Sequence, residues 1–151
     1  MKILILITLI LGVSNLYSQN DNPNYDSTLA VSLDADDYGM KAYVLVMLTT
    51  GSNTTTEKEF RDSCFRGHFK NISRLVNEGK LIIAGPIGKN DKSYRGIFVL
   101  NVKTLDEANG LLYTDPAVKA KFLNYELYNW YGSAALSEYL KVSDKIWKKQ
   151  P

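Results

Sequence analysis

TEKEFRDSCFRGHFKNISRLVNEGKLIIAGP, residues 56–86, is the stretch on which the fold turns. At about 100° per residue, Phe60, Cys64, Phe65, Phe69, Ile72, Leu75 and Val76 fall within one half of a helical surface. His68, the chain's one histidine, lies near the middle of that arc. Arg61, two turns earlier, points into the same arc, whereas Arg66, Lys70, Ser73, Arg74 and Asn77 lie opposite. Thr56 and Glu59 have the spacing of a capping box, which satisfies backbone N–H groups left open by the first turn. Gly79, the residue type that adopts a left-handed conformation without penalty, is expected to end the helix. Leu81 to Ala84 then reads as a short apolar strand stopped by Gly85-Pro86.

Outward from that stretch the chain alternates between the two periodicities. Lys41 to Thr50 (KAYVLVMLTT) predicts a strand apolar on both faces, ended by Gly51-Ser52-Asn53. Arg95 to Val102 (RGIFVLNV) predicts another, and the turn-rich Ile87 to Tyr94 segment makes it the antiparallel partner of Leu81–Ala84. Thr104 and Glu107 repeat the capping-box spacing and open a second helix whose inner face would be Leu105, Ala108, Leu111 and Leu112, with Asp115-Pro116 closing that unit. Phe122 to Tyr131 alternates, placing Leu123, Tyr125 and Leu127 on one face and Asn124, Glu126, Tyr128 and Trp130 on the other. The order β-α-β-β-α-β is that of an α+β, ferredoxin-like sandwich with both helices on one sheet face. The other face would then be a bare apolar patch, and a second copy of the sheet is its simplest cover, which predicts a homodimer.

Composition narrows the function classes. A chain of 151 residues, 45% hydrophobic, is sized for one domain with its own core. The net charge of +2 is small and no Lys/Arg cluster is interleaved with exposed aromatics, so nucleic acid is not an expected partner. Cys64 stands alone, which rules out an internal disulfide, and one Cys with one His cannot make the usual structural zinc site. No P-loop, dinucleotide fingerprint or Ser-His-Asp hydrolase motif is present, and no cofactor or metal is expected.

Residues 1–18 combine Lys2, an unbroken apolar run from Ile3 to Leu11 and small or polar residues ending at Ser18. This is the pattern of a cleaved signal peptide, too short for a membrane-spanning helix, so the protein is expected to be secreted or periplasmic, without stable membrane insertion. Residues 19–39 read as a polar arm, in which the alternation of Leu29, Val31 and Leu33 leaves an edge strand open. The domain proper spans 40–132. Residues 133–151 are expected to add a terminal helix with Leu136, Leu140 and Trp147 as its apolar stripe and Lys145, Lys148 and Lys149 near its end.

Several short motifs fall in a distinctive order: His68 on the first helix, Glu78-Gly79-Lys80-Leu81 followed by Ala84-Gly85-Pro86, Gly96 in the third strand, and Asp115-Pro116 after the second helix. In these, across residues 41–131, the chain resembles the YCII-related family. The resemblance implies a ferredoxin-like subunit dimerising through its sheet as a dimeric α+β barrel. It also implies a small-molecule pocket with a His–Asp pair, here matched by His68 and Asp115. The resemblance further implies a relation in fold to small enzymes working on aromatic or lactone-like compounds, including isomerases and dehalogenating lyases.

The residues themselves allow a site and a structural account side by side. An imidazole exchanges protons near neutral pH, and a carboxylate beside it fixes the tautomer and stabilises the imidazolium; His68 and Asp115 would supply both. Against this, an inward histidine is often only a satisfied core residue, and Asp before Pro is how a helix begins. The two oxygens of Asp115 permit capping and pairing together. Arg61 is a candidate for binding a substrate carboxylate, with Gly85 and Pro86 shaping the pocket mouth. Cys64, one turn before His68, is expected to be an inert buried thiol, and Tyr128 and Trp130 to serve dimer packing. The resulting expectation is an exported lyase or isomerase using His68 and Asp115. The alternatives are a non-catalytic dimeric binding module and, more remotely, a haem protein with His68 as ligand.

Overall fold

The computed structural model describes residues 22–148; the predicted signal peptide and the last three residues lie outside that range. Strands β1 (Met40–Thr50), β2 (Leu81–Pro86), β3 (Tyr94–Leu100) and β4 (Leu123–Ser133) form one antiparallel sheet in the order β2-β3-β1-β4. Helix α2 (Lys58–Asn77) connects β1 to β2, and α3 (Leu105–Leu112) with the single turn α4 (Pro116–Lys119) connects β3 to β4. This strand order with these crossovers is the ferredoxin-like arrangement predicted from the sequence. The short α1 (Ser27–Ser32) precedes the sheet.

Register decides which side chains meet the helices. Val44, Val46 and Leu48 of β1 oppose Leu100, Phe98 and Gly96 of β3, and on the other flank Leu48 and Val46 oppose Tyr125 and Leu127 of β4. These residues join Cys64 and Leu75 of α2 and Ala108 and Leu112 of α3 in one buried cluster. Side chains alternate along a strand, so Tyr43 and Leu45 face the opposite way. There, Tyr43, Ile82 and Val99 form a second, smaller cluster.

The predicted helix boundaries hold at one end of α2 and fail at the other. Gly79 has φ +67°, and the Lys80 N–H reaches Leu75 O (2.9 Å) while the Gly79 N–H reaches Val76 O (2.9 Å), the paired bonds of a Schellman stop. The expected cap by Thr56 is absent. Glu57 is the N-cap, without a side-chain bond, because Thr55 Oγ1 instead accepts the Glu57 N–H (3.3 Å) and Asn53 Oδ1 the Thr55 N–H (2.9 Å). Those local turns carry the chain into the helix one residue later than the capping-box spacing suggests. The second capping box forms, with Thr104 Oγ1 accepting the Glu107 N–H at 3.2 Å.

Two further expectations change. The arm adds no edge strand: Asp26 Oδ1 accepts the Leu29 N–H (2.9 Å) and turns residues 27–32 into helix α1. An Asx cap outweighs a three-residue alternation. The tail is not one long helix but a 3-10 helix (Ala134–Tyr139) followed by α5 (Leu140–Ser143). Leu136 and Leu140 pack on the Tyr43, Ile82 and Val99 cluster, while Trp147 is 43% exposed and outside the stripe assigned to it. The second sheet face is therefore partly covered by this chain's own tail, not bare. Trp130 belongs to this arrangement, its ring 5.6 Å from that of Tyr43. Tyr128 stays 49% exposed. Among the described residues no helix is long and apolar enough to cross a membrane.

Candidate functional site

Helix α2 and the turn before α4 converge on one polar pair inside the main core. His68 Nδ1 lies 2.6 Å from Asp115 Oδ2, with Asp115 fully buried and His68 7% exposed. Asp115 Oδ1 accepts the N–H groups of Ala117 (2.9 Å) and Val118 (3.4 Å), so it caps α4 as its sequence context predicted. Capping and pairing coexist, one on each oxygen. A carboxylate only accepts hydrogen bonds, so Nδ1 carries the proton, and the neutral ring keeps its lone pair on Nε2. Bonds of this charge-assisted kind are short and roughly twice as strong as neutral ones.

Nε2 makes no hydrogen bond among the described residues, yet no buried side-chain nitrogen or oxygen there is without a partner. Nε2 is thus the solvent-reached end of the ring. What it reaches is a cavity of about 430 Å³ between α2 and the β2–β3 edge of the sheet, whose lining includes His68. The walls are largely apolar: Leu48, Phe65, Phe69, Ile72 and Phe98, with Ala84, Gly85 and Pro86 at the β2 side. Three phenyl rings fix the imidazole plane. Phe98 stacks on it at 5.9 Å, while Phe65 (6.1 Å) and Phe69 (5.5 Å) meet it edge-on.

Gly85 and Pro86 are in the cavity lining. Gly96, opposite Pro86, keeps that wall close, because a Cβ there would stand 2.8 Å from the Gly85 carbonyl oxygen. Arg61 is exposed and outside the cavity lining. Two turns along a helix displace it by about 10 Å, beyond the cavity, although it shares the arc of His68. The arginine in the lining is Arg95, at the bulge where β3 shifts register against β1. Cys64 is buried in the main core cluster and takes no part in the cavity.

The residues that bring Asp115 to His68 were not singled out in the sequence. Gly67 is one. An added Cβ there would lie 2.7 Å from Pro116 Cγ, so the proline next to Asp115 sits directly on α2 where a side chain is missing. The available signal was a glycine inside an amphipathic helix, where it costs about 1 kcal/mol against alanine and usually has a packing reason. Thr114 is the other. Its hydroxyl lies 3.0 Å from Asn71 Oδ1 and accepts from Arg74 Nη2 at 2.8 Å, while Arg74 also bonds Asn71 (2.8 Å) and Glu78. Nothing in the sequence pairs residues 43 positions apart.

No family model matches the chain, and no curated protein does either. Nine chains of solved structures match. Among them is the 5-chloro-2-hydroxyhydroquinone dehydrochlorinase of Burkholderia phenoliruptrix AC1100, in complex with 2,5-dihydroxybenzoquinone. It is 18% identical, with 58% of this chain and 92% of that chain covered and a TM-score of 0.42. A likeness of that size says nothing about substrate or reaction; the fold assignment rests on strand order and register.

Proposed function

We propose that the protein is an exported small-molecule enzyme of lyase or isomerase type, related to the YCII-like proteins, in which His68 moves a proton and Asp115 orients it. The observation that carries this reading is one histidine ring held by a buried carboxylate at Nδ1 while Nε2 opens onto an apolar cavity. A general base needs its lone pair directed at substrate and its conjugate acid stabilised, and this geometry supports both. In the proposed step Nε2 takes a proton from a carbon made acidic by a neighbouring electron-withdrawing group, and the imidazolium is stabilised by the Asp115 charge. The proton then returns to another atom, giving isomerisation, or a leaving group departs with the bond electrons, giving elimination. Burial of Asp115 and of the Nδ1 side of His68 strengthens the His–Asp interaction.

Tautomer and turnover together test the reading. Imidazole ¹⁵N shifts in the intact protein should show Nδ1 protonated and Nε2 not at neutral pH. Small carbon acids incubated in D₂O should exchange or eliminate with wild type and not with His68→Gln. A ring protonated on Nε2 in the neutral form, or equal exchange by the variant, would exclude His68 as the base.

The dimer belongs to the same proposal in a reduced form. The tail covers one part of the second sheet face, but Leu45, Met47, Ile83 and Ile97 there remain only half-buried, and a second copy is the occupant we propose. Sedimentation should give a dimer at micromolar concentration and a monomer for Met47→Lys; a wild-type monomer would remove the dimer from the proposal. Export rests on residues 1–18 of the sequence alone and is tested by the mass of the protein recovered from its native host.

A further inference from the structure

A second cavity, of about 620 Å³, shares only Leu123 with the cavity of the dyad. It lies between the Thr50–Ser52 turn, Tyr113, the end of α4 and the start of β4. Its chemistry differs from that of the first. The ionisable groups in its lining are two ammonium groups, Lys119 and Lys121, and two phenols, Tyr113 and Tyr125, with no carboxylate among them. Tyr125 is committed, its hydroxyl donating to Asn109 Oδ1 at 2.9 Å, and burial followed by the neighbouring Tyr113 raises it above its ordinary 10.0, so it stays neutral. The free charge in this cleft is positive.

The wall that carries the charge is rigidly built. Lys121 has φ +58°, the left-handed region that a glycine enters freely and a lysine only at a cost. It is held there by residues 51–53. The Asn53 N–H donates to Lys121 O (2.9 Å), Asn53 Nδ2 to Ala120 O (2.8 Å) and the Gly51 N–H to Phe122 O (2.9 Å). The two segments approach so closely that a Cβ on Gly51 would lie 2.0 Å from Lys121 O. The positive φ of Lys121 is the left-handed stop of α4, with the Phe122 N–H on Ala117 O (2.9 Å) and the Lys121 N–H on Val118 O (2.9 Å), so this wall holds one of the two cations at a fixed place.

We propose that this cleft binds a small molecule bearing a doubly negative group, a phosphate monoester or a dicarboxylate, with Lys119 and Lys121 as its charged partners. Two lysines in a lining that includes no carboxylate match a dianion, and the volume leaves room for an organic body beside it. The site is independent of the His68 chemistry.

Lys121→Gly is the decisive variant, because it deletes the ammonium while relieving the strained φ, so loss of binding is separable from loss of fold. Inorganic phosphate and, separately, succinate are titrated into the intact ¹⁵N-labelled chain at constant ionic strength. Saturable shifts are expected at the Gly51, Ser52 and Lys119 amides with one or both anions, phosphate alone indicating a phosphate ester and succinate alone a dicarboxylate. Lys121→Gly and Lys119→Gln should each weaken binding about tenfold or more, with the melting temperature of Lys121→Gly no lower than that of wild type and His68→Gln binding normally. No saturation by either anion, or undiminished binding by the two lysine variants, would overturn the site.

Discussion

The two faces of the sheet are made from the same four strands and finish in different states. On the helix side, α2 and α3 close over one continuous apolar cluster, and the His68–Asp115 pair is sealed into its edge. On the other side only Tyr43, Ile82 and Val99 are fully covered, by a short tail whose Leu136 and Leu140 reach them. The strands supply apolar residues to both faces, so strand composition is not the difference. The difference is the cover. A 20-residue helix covers a face well enough to bury the His68–Asp115 contact, whereas six residues of 3-10 helix and one α-turn seal a patch.

Breaking the sealed face at its polar pair should have the largest effect. Asp115→Ala removes the partner of a buried histidine and the cap of α4 together, and a loss of about 3–5 kcal/mol is expected in urea unfolding. Asp115→Asn keeps a capping oxygen and costs less stability, but it presents an N–H₂ or a neutral oxygen to Nδ1 and no longer dictates the tautomer. Once a turnover assay exists, that variant should lose about three to four orders of magnitude in kcat. Equal activity in Asp115→Asn would reduce the pair to a structural one.

Gly67→Ala probes the same face without touching either partner. The helix gains about 1 kcal/mol of intrinsic propensity, but the new methyl meets Pro116 at 2.7 Å, and overpacking of that kind costs about 1–3 kcal/mol. A net loss of roughly 0–2 kcal/mol is expected, with a changed ¹⁵N signature at His68 as Asp115 is pushed away. Pro116→Ala in the same background leaves only the Cβ contact at 3.1 Å and should restore much of both. An unchanged His68 signal in Gly67→Ala would show that α4 is free to move with its proline.

How much of this was legible in the sequence follows the same division. Periodicity decided α2, the four strands and their order, because each element buries a full stripe and the pattern repeats over many residues. His68 and Asp115 were both visible as candidates, the first by its place on the inner arc and the second by its proline. Their contact was not readable from residues alone, since it depends on Pro116 seating at Gly67 and on Thr114 bonding to Asn71 and Arg74 across the fold. Arg61 shares the arc of His68 but not its cavity, because angle around a helix carries no information about height along it. The tail misled for a related reason: Leu136, Leu140 and Trp147 share a stripe on paper, but the surface they dock on ends before Trp147.

The weaker face should respond in proportion to its cover. Leu140→Ala is expected to cost about 1 kcal/mol, less than a fully buried leucine would, because the residue is only partly covered. The exposed Tyr43, Ile82 and Val99 should then lose amide protection before the helix side does. Simultaneous loss on both faces would mean that the tail is part of the global folding unit.

The smallest effect is expected where the arm meets β4, and it is a pH effect. The Tyr131 hydroxyl donates to Asp36, and the Met40 (3.0 Å) and Tyr38 (2.9 Å) N–H groups add to this, with Tyr131 the largest influence in holding the carboxyl below its ordinary value of 3.8. A carboxyl lowered in the folded state stabilises fully above its unfolded value and loses that contribution as pH falls through the folded one. From about pH 4 downward the Met40 amide and the Tyr131 ring should therefore report release of the arm, while the His68 ring, on the sealed face, reports nothing from this event. Asp36→Asn should abolish that acid dependence at the arm and leave neutral-pH stability almost unchanged, since the group is fully exposed and screened. If the variant instead shifted the acid response of the whole molecule, the arm would belong to the core of the fold, and the contrast between a sealed and a loosely covered face would extend to neither end of the chain.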